Sequence, residues 1–531
     1  MKKTFLKIIY LVGAVFIVST LQSCDTEALT DLNRNPDVVE NPIPEYSFTA
    51  AVLASQPGEN YRPLGQGLQY FSSYKEVPAT GDKFYNFGGT AGNFNVYTGQ
   101  LNRLLQLNAQ ILGPENVNKR AATEILRILD FHQETDKMGD MPYSEAMKGE
   151  ANLKPKYDTQ KAIYTAMLTE LENALKSMDA TKPNVFGNAD PYFKGDVAKW
   201  KKFGYTLMAR LGMRMSDVDA ATAKSWVEKA ATGGMMTAFG DIAYIKFANV
   251  TNQMNPRVTT YINGDFTSPG GDNVEGSKWA AKFIDHLKAT SDPRLPVISV
   301  VWVPSGGSFT ADNTPAKQRG MINGSINTRP SDFDTYSEPS LLYIDRGSPI
   351  ITIGPAEAYL ILAEAAARGW NVGTTAKAAY DNGVRQAMAQ WALWPTAGPH
   401  SGTITTAQVD AYLTTNPYST GTFAQQLEQI STQKWVSLLG DDYEIWSNWR
   451  RTKFPVFNYA NWTVGGNKVP YPGNVTAGKM FRRFSLPTSE RNVNPDNYYE
   501  AIKRQSFTEE TVDLLQGRMW WDVGPGTGQS N

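Results

Sequence analysis

Two stretches of the chain combine flat aromatic rings with side-chain amides, the mixture that sugar recognition demands. The first, YFSSYKEVPATGDKFYNFGGTAGNFNVY (70–97), carries Tyr74, Phe84, Tyr85, Phe87 and Phe94, with Asn86, Asn93 and Asn95 interleaved. The second lies within residues 240–350 and carries Tyr261, Trp279, Trp302, Phe309, Phe333 and Tyr336 among Asn and Asp. Rings laid against the C–H face of a sugar, with amides, carboxylates or guanidinium groups replacing water at its hydroxyls, make a shallow site that can release its ligand. The residues expected to touch such a ligand are Tyr74, Phe84, Tyr85, Asn86, Phe87, Tyr261, Trp279, Trp302, Phe333 and Tyr336. For each of them the competing role is packing on the body to hold an irregular segment down.

Other chemistries find little purchase. The chain has no G-x-S-x-G elbow, no H-E-x-x-H, no Walker loop and no full EF-hand. GPGTG (524–528) imitates a nucleotide fingerprint but lies in the tail with no helix after it. His132, His286 and His400 are far apart and share no ligand spacing, so no zinc site is expected. A glycosidase needs two carboxylates placed across a cleft, and 52 acidic residues always supply a candidate pair. The missing motifs favour a binding protein without catalysis and without a cofactor; a structural calcium ion on an Asp/Asn-rich loop is left open.

The single cysteine, Cys24, has a different task. Lys2, Lys3 and Lys7 precede an apolar run of eleven residues, Ile8–Val18. That is too short to span a bilayer, which takes about 20 residues, and it has the order of a signal peptide. Leu21-Gln22-Ser23-Cys24 resembles a bacterial lipobox, so residues 1–23 read as a lipoprotein signal and Cys24 as the lipidated first residue of the mature chain. Each acyl CH₂ buried in a membrane contributes about 0.8 kcal/mol, so several chains hold such a protein essentially permanently. Loss of the three lysines takes the formal charge from −1 to −4. Basic residues beyond it come only in pairs and triplets, which excludes a nucleic-acid partner. The mature body has no cysteine to form a disulfide and must rely on its core.

Residues 24–45 are Asn/Pro-rich and short of apolar side chains, as a tether would be. From Tyr46 helical periodicity takes over. Ala122, Ile125, Leu126 and Leu129 share one face; so do Ile163, Met167, Leu171, Ala174, Leu175 and Met178; Phe203, Leu207, Leu211 and Met215 recur every fourth residue. Asp158 is the expected N-cap of the second stripe, and Asp441 with Glu444 the start of a capping box. Helices are also expected over 276–289, 355–370, 375–391 and 422–439, and a strand over Pro296–Val303. Arg210 and Arg214 share a helix face and should find buried carboxylates or carbonyls, while Trp446 and Trp449 should be core. The fold class is mainly α: a tetratricopeptide-like stack of helix pairs over 46–531, with irregular, short-strand insertions at about 240–350 and 453–500.

Seven segments, in order, resemble the SusD/RagB family of outer-membrane lipoproteins, in particular its second sequence branch. They are DLNRNP (31–36), MGDMPYSEA (138–146), YDTQKAIYTAMLTELENA (157–174), GDVAKWKKFGYTLMARLGMRMSD (195–217), EAYLILAEAAARGW (357–370), TQKWVSLLGDDYEIWSNWRRTKFP (432–455) and RRFSLPTSERNVNPDNYYEA (482–501). The resemblance implies a helix-pair scaffold with an irregular ligand-binding half, anchored at the outer membrane, facing outward, above a SusC-like TonB-dependent transporter that it feeds with nutrient, commonly oligosaccharide. A binder of peptides or protein fragments on the same scaffold is the alternative, and a glycan-acting hydrolase a more distant one. If Cys24 is the anchor, Cys24→Ser leaves the protein in the soluble fraction, whereas the wild-type chain sediments with membranes.

Overall fold

The apolar stripes of the sequence become helix packing faces. The computed structural model describes residues 42–56, 61–75, 93–258, 266, 276–324, 328–396, 400–457, 463–464, 467–468, 480–505, 515 and 517–523. The signal segment, Cys24 and most of the tether lie outside them. Among the described residues the helices are α1 (Pro44–Ala54), α2 (Asn102–Gln110), α3 (Val117–Met138), α4 (Gln160–Ser177), α5 (Val197–Arg214), α6 (Ala220–Gly233), α7 (Ala281–Ala289), α8 (Leu295–Ile298), α9 (Pro355–Ala367), α10 (Ala376–Ala389), α11 (Thr406–Thr415), α12 (Phe423–Ser437), α13 (Asp442–Thr452), α14 (Glu490–Val493) and α15 (Pro495–Arg504). The strands are short: β1 (Phe71–Ser73), β2 (Met141–Pro142), β3 (Tyr157–Asp158), β4 (Ala243–Ile245), β5 (Ser277–Trp279), β6 (Ser299–Ser305), β7 (Ser308–Asp312), β8 (Glu338–Pro339), β9 (Ile350–Ile353), β10 (Thr463–Val464) and β11 (Asn467–Lys468). The protein is mainly α, and Ser47–Asn531 forms one unit.

Consecutive helices pack as pairs: α3 on α4, α5 on α6, α9 on α10, α12 on α13. Neighbouring pairs join through α4 with α5, α5 with α9 and α9 with α12, and α13 returns to α3. Each expected stripe lies in these seams: Ile125, Leu126, Ile163, Met167, Phe203, Leu207 and Leu211 are all fully buried. The insertion at about 240–350 leaves the stack after α6 and returns at α9. Its two ends are tied together because β4 pairs antiparallel with β9, Ala243 opposite Ile353 and Ile245 opposite Ile350.

Local chemistry sets the boundaries, and some differ from expectation. The N-cap of α4 is Thr159, whose hydroxyl accepts from the Ala162 amide at 3.2 Å. Asp158 instead clasps the preceding turn, accepting from the amides of Tyr143 and Ser144 at 3.1 and 2.8 Å. Residues 276–280 do not begin α7, because 277–279 are drawn into pairing with β1, a partner some 200 positions away in sequence. Pro296 starts the single turn α8, so the expected strand begins only at Ser299. Pro495 likewise opens α15 inside a stretch read as loop, and Tyr498, Ala501 and Ile502 of that helix are buried.

Arginine–carboxylate pairs cross the apolar seams. Arg210 on α5 forks onto Glu357 of α9 at 2.7 and 2.6 Å. One turn later Arg214 reaches Asp136 of α3 at 3.1 Å and Glu444 of α13 at 2.5 Å. Arg451 of α13 forks onto Glu364 of α9 at 2.6 and 2.7 Å, and Arg368 adds a third cationic contact at 2.9 Å. Asp441 caps α13 by accepting from the Glu444 amide, but the Glu444 carboxylate turns inward to Arg214 and leaves the capping box half made. Burial alone would raise the Glu364 pKa; Arg451 and Arg368 outweigh it and hold this carboxyl well below its ordinary range. Trp446 and Trp449 are core, as expected, and Arg450 stacks on the Trp446 ring.

Two outcomes follow from this core. Arg451→Met leaves Glu364 short of its principal partner and is expected to cost about 3–5 kcal/mol, read from the urea midpoint. Asp130 behaves in the opposite sense: burial pushes its carboxyl up to about 8, and its one hydrogen bond is from the Ser55 hydroxyl at 3.0 Å. The folded protein therefore keeps a proton that the unfolded chain releases near its ordinary value of about 3.9, so this group's stabilising effect is full below that pH and falls as pH rises towards 8. Asp130→Asn should gain stability relative to wild type between pH 5 and 8, by at least about 1 kcal/mol, and match it at pH 4.

Candidate functional site

The two aromatic-rich stretches meet. β1 pairs antiparallel with β5, Phe71 opposite Trp279 and Ser73 opposite Ser277, and the Phe71 and Trp279 rings stack at 4.5 Å and 15°. The Asn323 amide donates to the Phe71 carbonyl at 2.8 Å and the Ser72 hydroxyl to the Ile322 carbonyl at 2.9 Å, while the Met321 amide donates to the Trp279 carbonyl at 2.8 Å, so residues 321–323 tie β1 to β5. Directly after β1, Tyr74 meets Phe333 edge-on at 5.1 Å, and with Met321 and Tyr336 they form a small cluster of their own. Two glycines make this possible. At Gly276 (φ +63°) a Cβ would lie 2.4 Å from the Tyr74 ring, and at Gly320 it would lie 2.4 Å from the Ala280 carbonyl oxygen.

The expected site residues divide by exposure. Trp279 and Phe333 are fully buried, and Tyr74 is 5% exposed; here these rings hold the two stretches together. Trp302, on β6, is half-buried, and its indole N–H donates to Glu338 at 2.9 Å. The second oxygen of Glu338 accepts from Lys278, whose ammonium also lies 4.3 Å from the centre of the Phe333 ring. Burial pushes the Glu338 carboxyl up, against Lys278, which pulls it down. Tyr336 is 9% exposed, and the Arg319 guanidinium stacks on its ring at 4.3 Å. Beyond them the β6–β7 hairpin carries Phe309, 40% exposed. Phe84, Tyr85, Asn86, Phe87 and Tyr261 lie outside the described residues.

Aromatic counting overlooked the polar rim. Arg319 donates to Asp332 at 2.6 Å, to the Thr335 hydroxyl at 3.2 Å and to the Tyr336 hydroxyl at 3.1 Å. Arg329 pairs with Asp334 at 2.9 Å and lies 4.9 Å from the Phe333 ring centre. These four charged side chains are between 38% and 50% exposed, so they face water while the rings beneath do not. The signal was present in RPSDFDTY (329–336), where Arg and Asp surround Phe333 and Tyr336. The edge therefore offers one half-exposed indole and a rim of paired donors and acceptors with little net charge, suited to hydroxyl groups. Among the described residues no group of three or more His, Cys, Asp or Glu could hold a metal ion.

The family model for SusD-like proteins, described as starch-binding and associating with the outer membrane, matches residues 47–476. The chain belongs to the SusD-like family. Its fold is shared with solved structures. A chitin-binding protein superposes with a TM-score of 0.74 at 26% identity, covering 91% of this chain and 100% of its own. A chitin-binding SusD homologue from Flavobacterium johnsoniae gives 0.69 at 22% identity, covering 90% and 98%. A SusD homologue from Bacteroides fragilis gives 0.72 at 22%, covering 90% and 99%. At those identities the last two speak for the fold alone. Comparison with curated protein sequences finds no match. In this SusD-like chain no helix among the described residues is long and apolar enough to cross a membrane.

Proposed function

We propose that this SusD-like protein is a lipid-anchored binding protein of the outer membrane, facing the cell exterior, that captures oligosaccharide and passes it to a SusC-like TonB-dependent transporter without cleaving it. The stacked helix pairs act as a tetratricopeptide-like scaffold, and the irregular half carries the ligand. The observation that supports this most is the convergence of the two aromatic stretches at one edge, where Trp302, the Tyr336–Arg319 stack and the Arg/Asp rim stand together. The aromatics Phe84, Tyr85 and Phe87 with Asn86, and Tyr261, belong to the same two stretches and are proposed to complete the site. Anchorage rests on Cys24, since the tether of residues 24–45 carries little that would bind a membrane otherwise. A stable transporter complex should bury more than the roughly 1,600 Å² of a standard interface.

The choice of probes follows the relatives: starch from the family description, and N-acetylglucosamine oligomers from the chitin-binding protein of similar structure. Native electrophoresis through gels containing each polysaccharide should retard the wild-type protein. Trp302→Ala and the triple variant Phe84/Tyr85/Phe87→Ala should each weaken retention at least tenfold in apparent Kd, about 1.4 kcal/mol, with unchanged melting temperature. If a broad glycan panel leaves mobility and melting temperature unmoved while peptides shift both, the ligand is peptide and the sugar reading fails.

A further inference from the structure

Exposed arginines are ordinarily mobile, because fixing the long side chain forfeits much rotamer freedom. Arg319 is half exposed, at 50%, yet four separate contacts hold it. The central carbon of its guanidinium lies 4.3 Å from the centre of the Tyr336 ring. One terminal nitrogen, Nη1, donates to Asp332 Oδ2 and Thr335 Oγ1, and the other, Nη2, donates to the Tyr336 hydroxyl. A guanidinium has five N–H donors, so three are engaged, and among the described residues Nε–H and one proton of Nη2 have no hydrogen-bond partner.

That Nε/Nη2 edge is used at other arginines of this chain for two-pronged recognition. Arg210 grips Glu357 through Nε at 2.7 Å and Nη2 at 2.6 Å. Arg294 grips Asp292 through the same two atoms at 2.9 and 2.5 Å. Both of those pairs are buried and satisfied. Arg319, by contrast, is half exposed, on the edge that carries Trp302 and the paired rim. Because stacking and three hydrogen bonds already fix its plane, a ligand that meets it loses little further entropy.

We infer that Arg319 is a specificity-determining residue of the glycan site, presenting its Nε–H/Nη2–H edge as a fixed two-donor fork to a pair of adjacent oxygens on an uncharged sugar. This rests on the oligosaccharide reading and sharpens it to uncharged sugars with oxygens on adjacent ring carbons. The uncharged class follows from the rim: Arg319 with Asp332, Arg329 with Asp334 and Lys278 with Glu338 cancel pairwise, leaving no uncompensated cation to favour a carboxylated sugar. Asp332 acts here as a positioning residue that sets the plane of the fork.

The test compares Arg319→Lys, which keeps the charge and loses the planar fork, with Asp332→Asn, which keeps the arginine and loosens it. Binding is measured by calorimetry on the mature full chain, at low and high salt, with soluble starch, N-acetylglucosamine oligomers and polygalacturonate. The expected result is binding of a neutral glycan that salt barely changes. It should weaken at least tenfold in Arg319→Lys and by a smaller factor in Asp332→Asn, with melting temperatures unchanged. Wild-type affinity in Arg319→Lys overturns the inference and leaves the glycan reading standing, as does a preference for polygalacturonate that collapses with salt. If no glycan binds the wild-type protein, the functional reading fails first and takes this inference with it. Should Arg319→Lys prove unstable, Arg319→Gln carries the same comparison, and neutral binding at wild-type strength there is equally fatal.

Discussion

Four helices of the scaffold are held in register by buried arginine–carboxylate pairs, and every other feature of the molecule is positioned relative to them. Arg210 and Arg214 on α5 reach α9, α3 and α13, while Arg451 on α13 returns to α9. Apolar seams alone would let neighbouring helices slide, since one leucine-lined groove accepts another nearly as well at several offsets. A buried charge tolerates no such slip, because a misplaced partner leaves an ion without compensation. Such pairs are weak evidence for raw stability, since a well-packed apolar core could be as stable; their contribution here is to fix which ridge meets which groove.

From that fixed stack the positioning passes outward through Trp435. This residue on α12 is fully buried, and its indole N–H donates to the Leu68 carbonyl at 3.0 Å. Tyr70 stacks on it at 5.3 Å and 17°, and its hydroxyl donates to the Trp435 carbonyl. Tyr70 immediately precedes β1, and β1 holds β5 and, beyond it, the Tyr74–Phe333–Tyr336 cluster. The paired strands β4 and β9 close the base of the insertion independently. A long irregular excursion is thus pinned at its base and at its edge, which lets exposed loop residues such as Arg319 keep a defined geometry.

Much of this scaffold was legible. The helical stripes, the buried destination of Arg210 and Arg214 and the core placement of Trp446 and Trp449 follow from 3.6-residue periodicity and from the cost of burying an unpaired charge. The strand over 277–279 was not legible, because its partner lies some 200 positions away, and the late start of β6 follows from the helical turn around Pro296. Asp158 and Thr159 are equally good caps on paper; the choice fell to Thr159 because the turn at Tyr143–Ser144 claims the aspartate. At the candidate site, residue type singled out two stretches that the fold brings together but could not rank rings within them. Trp279 and Phe333 look the same as Trp302 in a string of letters and differ wholly in exposure.

By itself the sequence determined the helices' buried faces and the irregular character of residues 240–350, which rest on local periodicity and composition, and seven motifs in order carried the resemblance to the family to which the chain belongs. Tertiary structure alone decided which aromatics became glue and which stayed within reach of solvent, and that a stacked arginine rather than a bare ring would be the flat surface beside Trp302. The reason is physical: burial and hydrogen-bond partnership belong to pairs of residues, and β1 and β5, which bring the two stretches together at this edge, are some 200 positions apart.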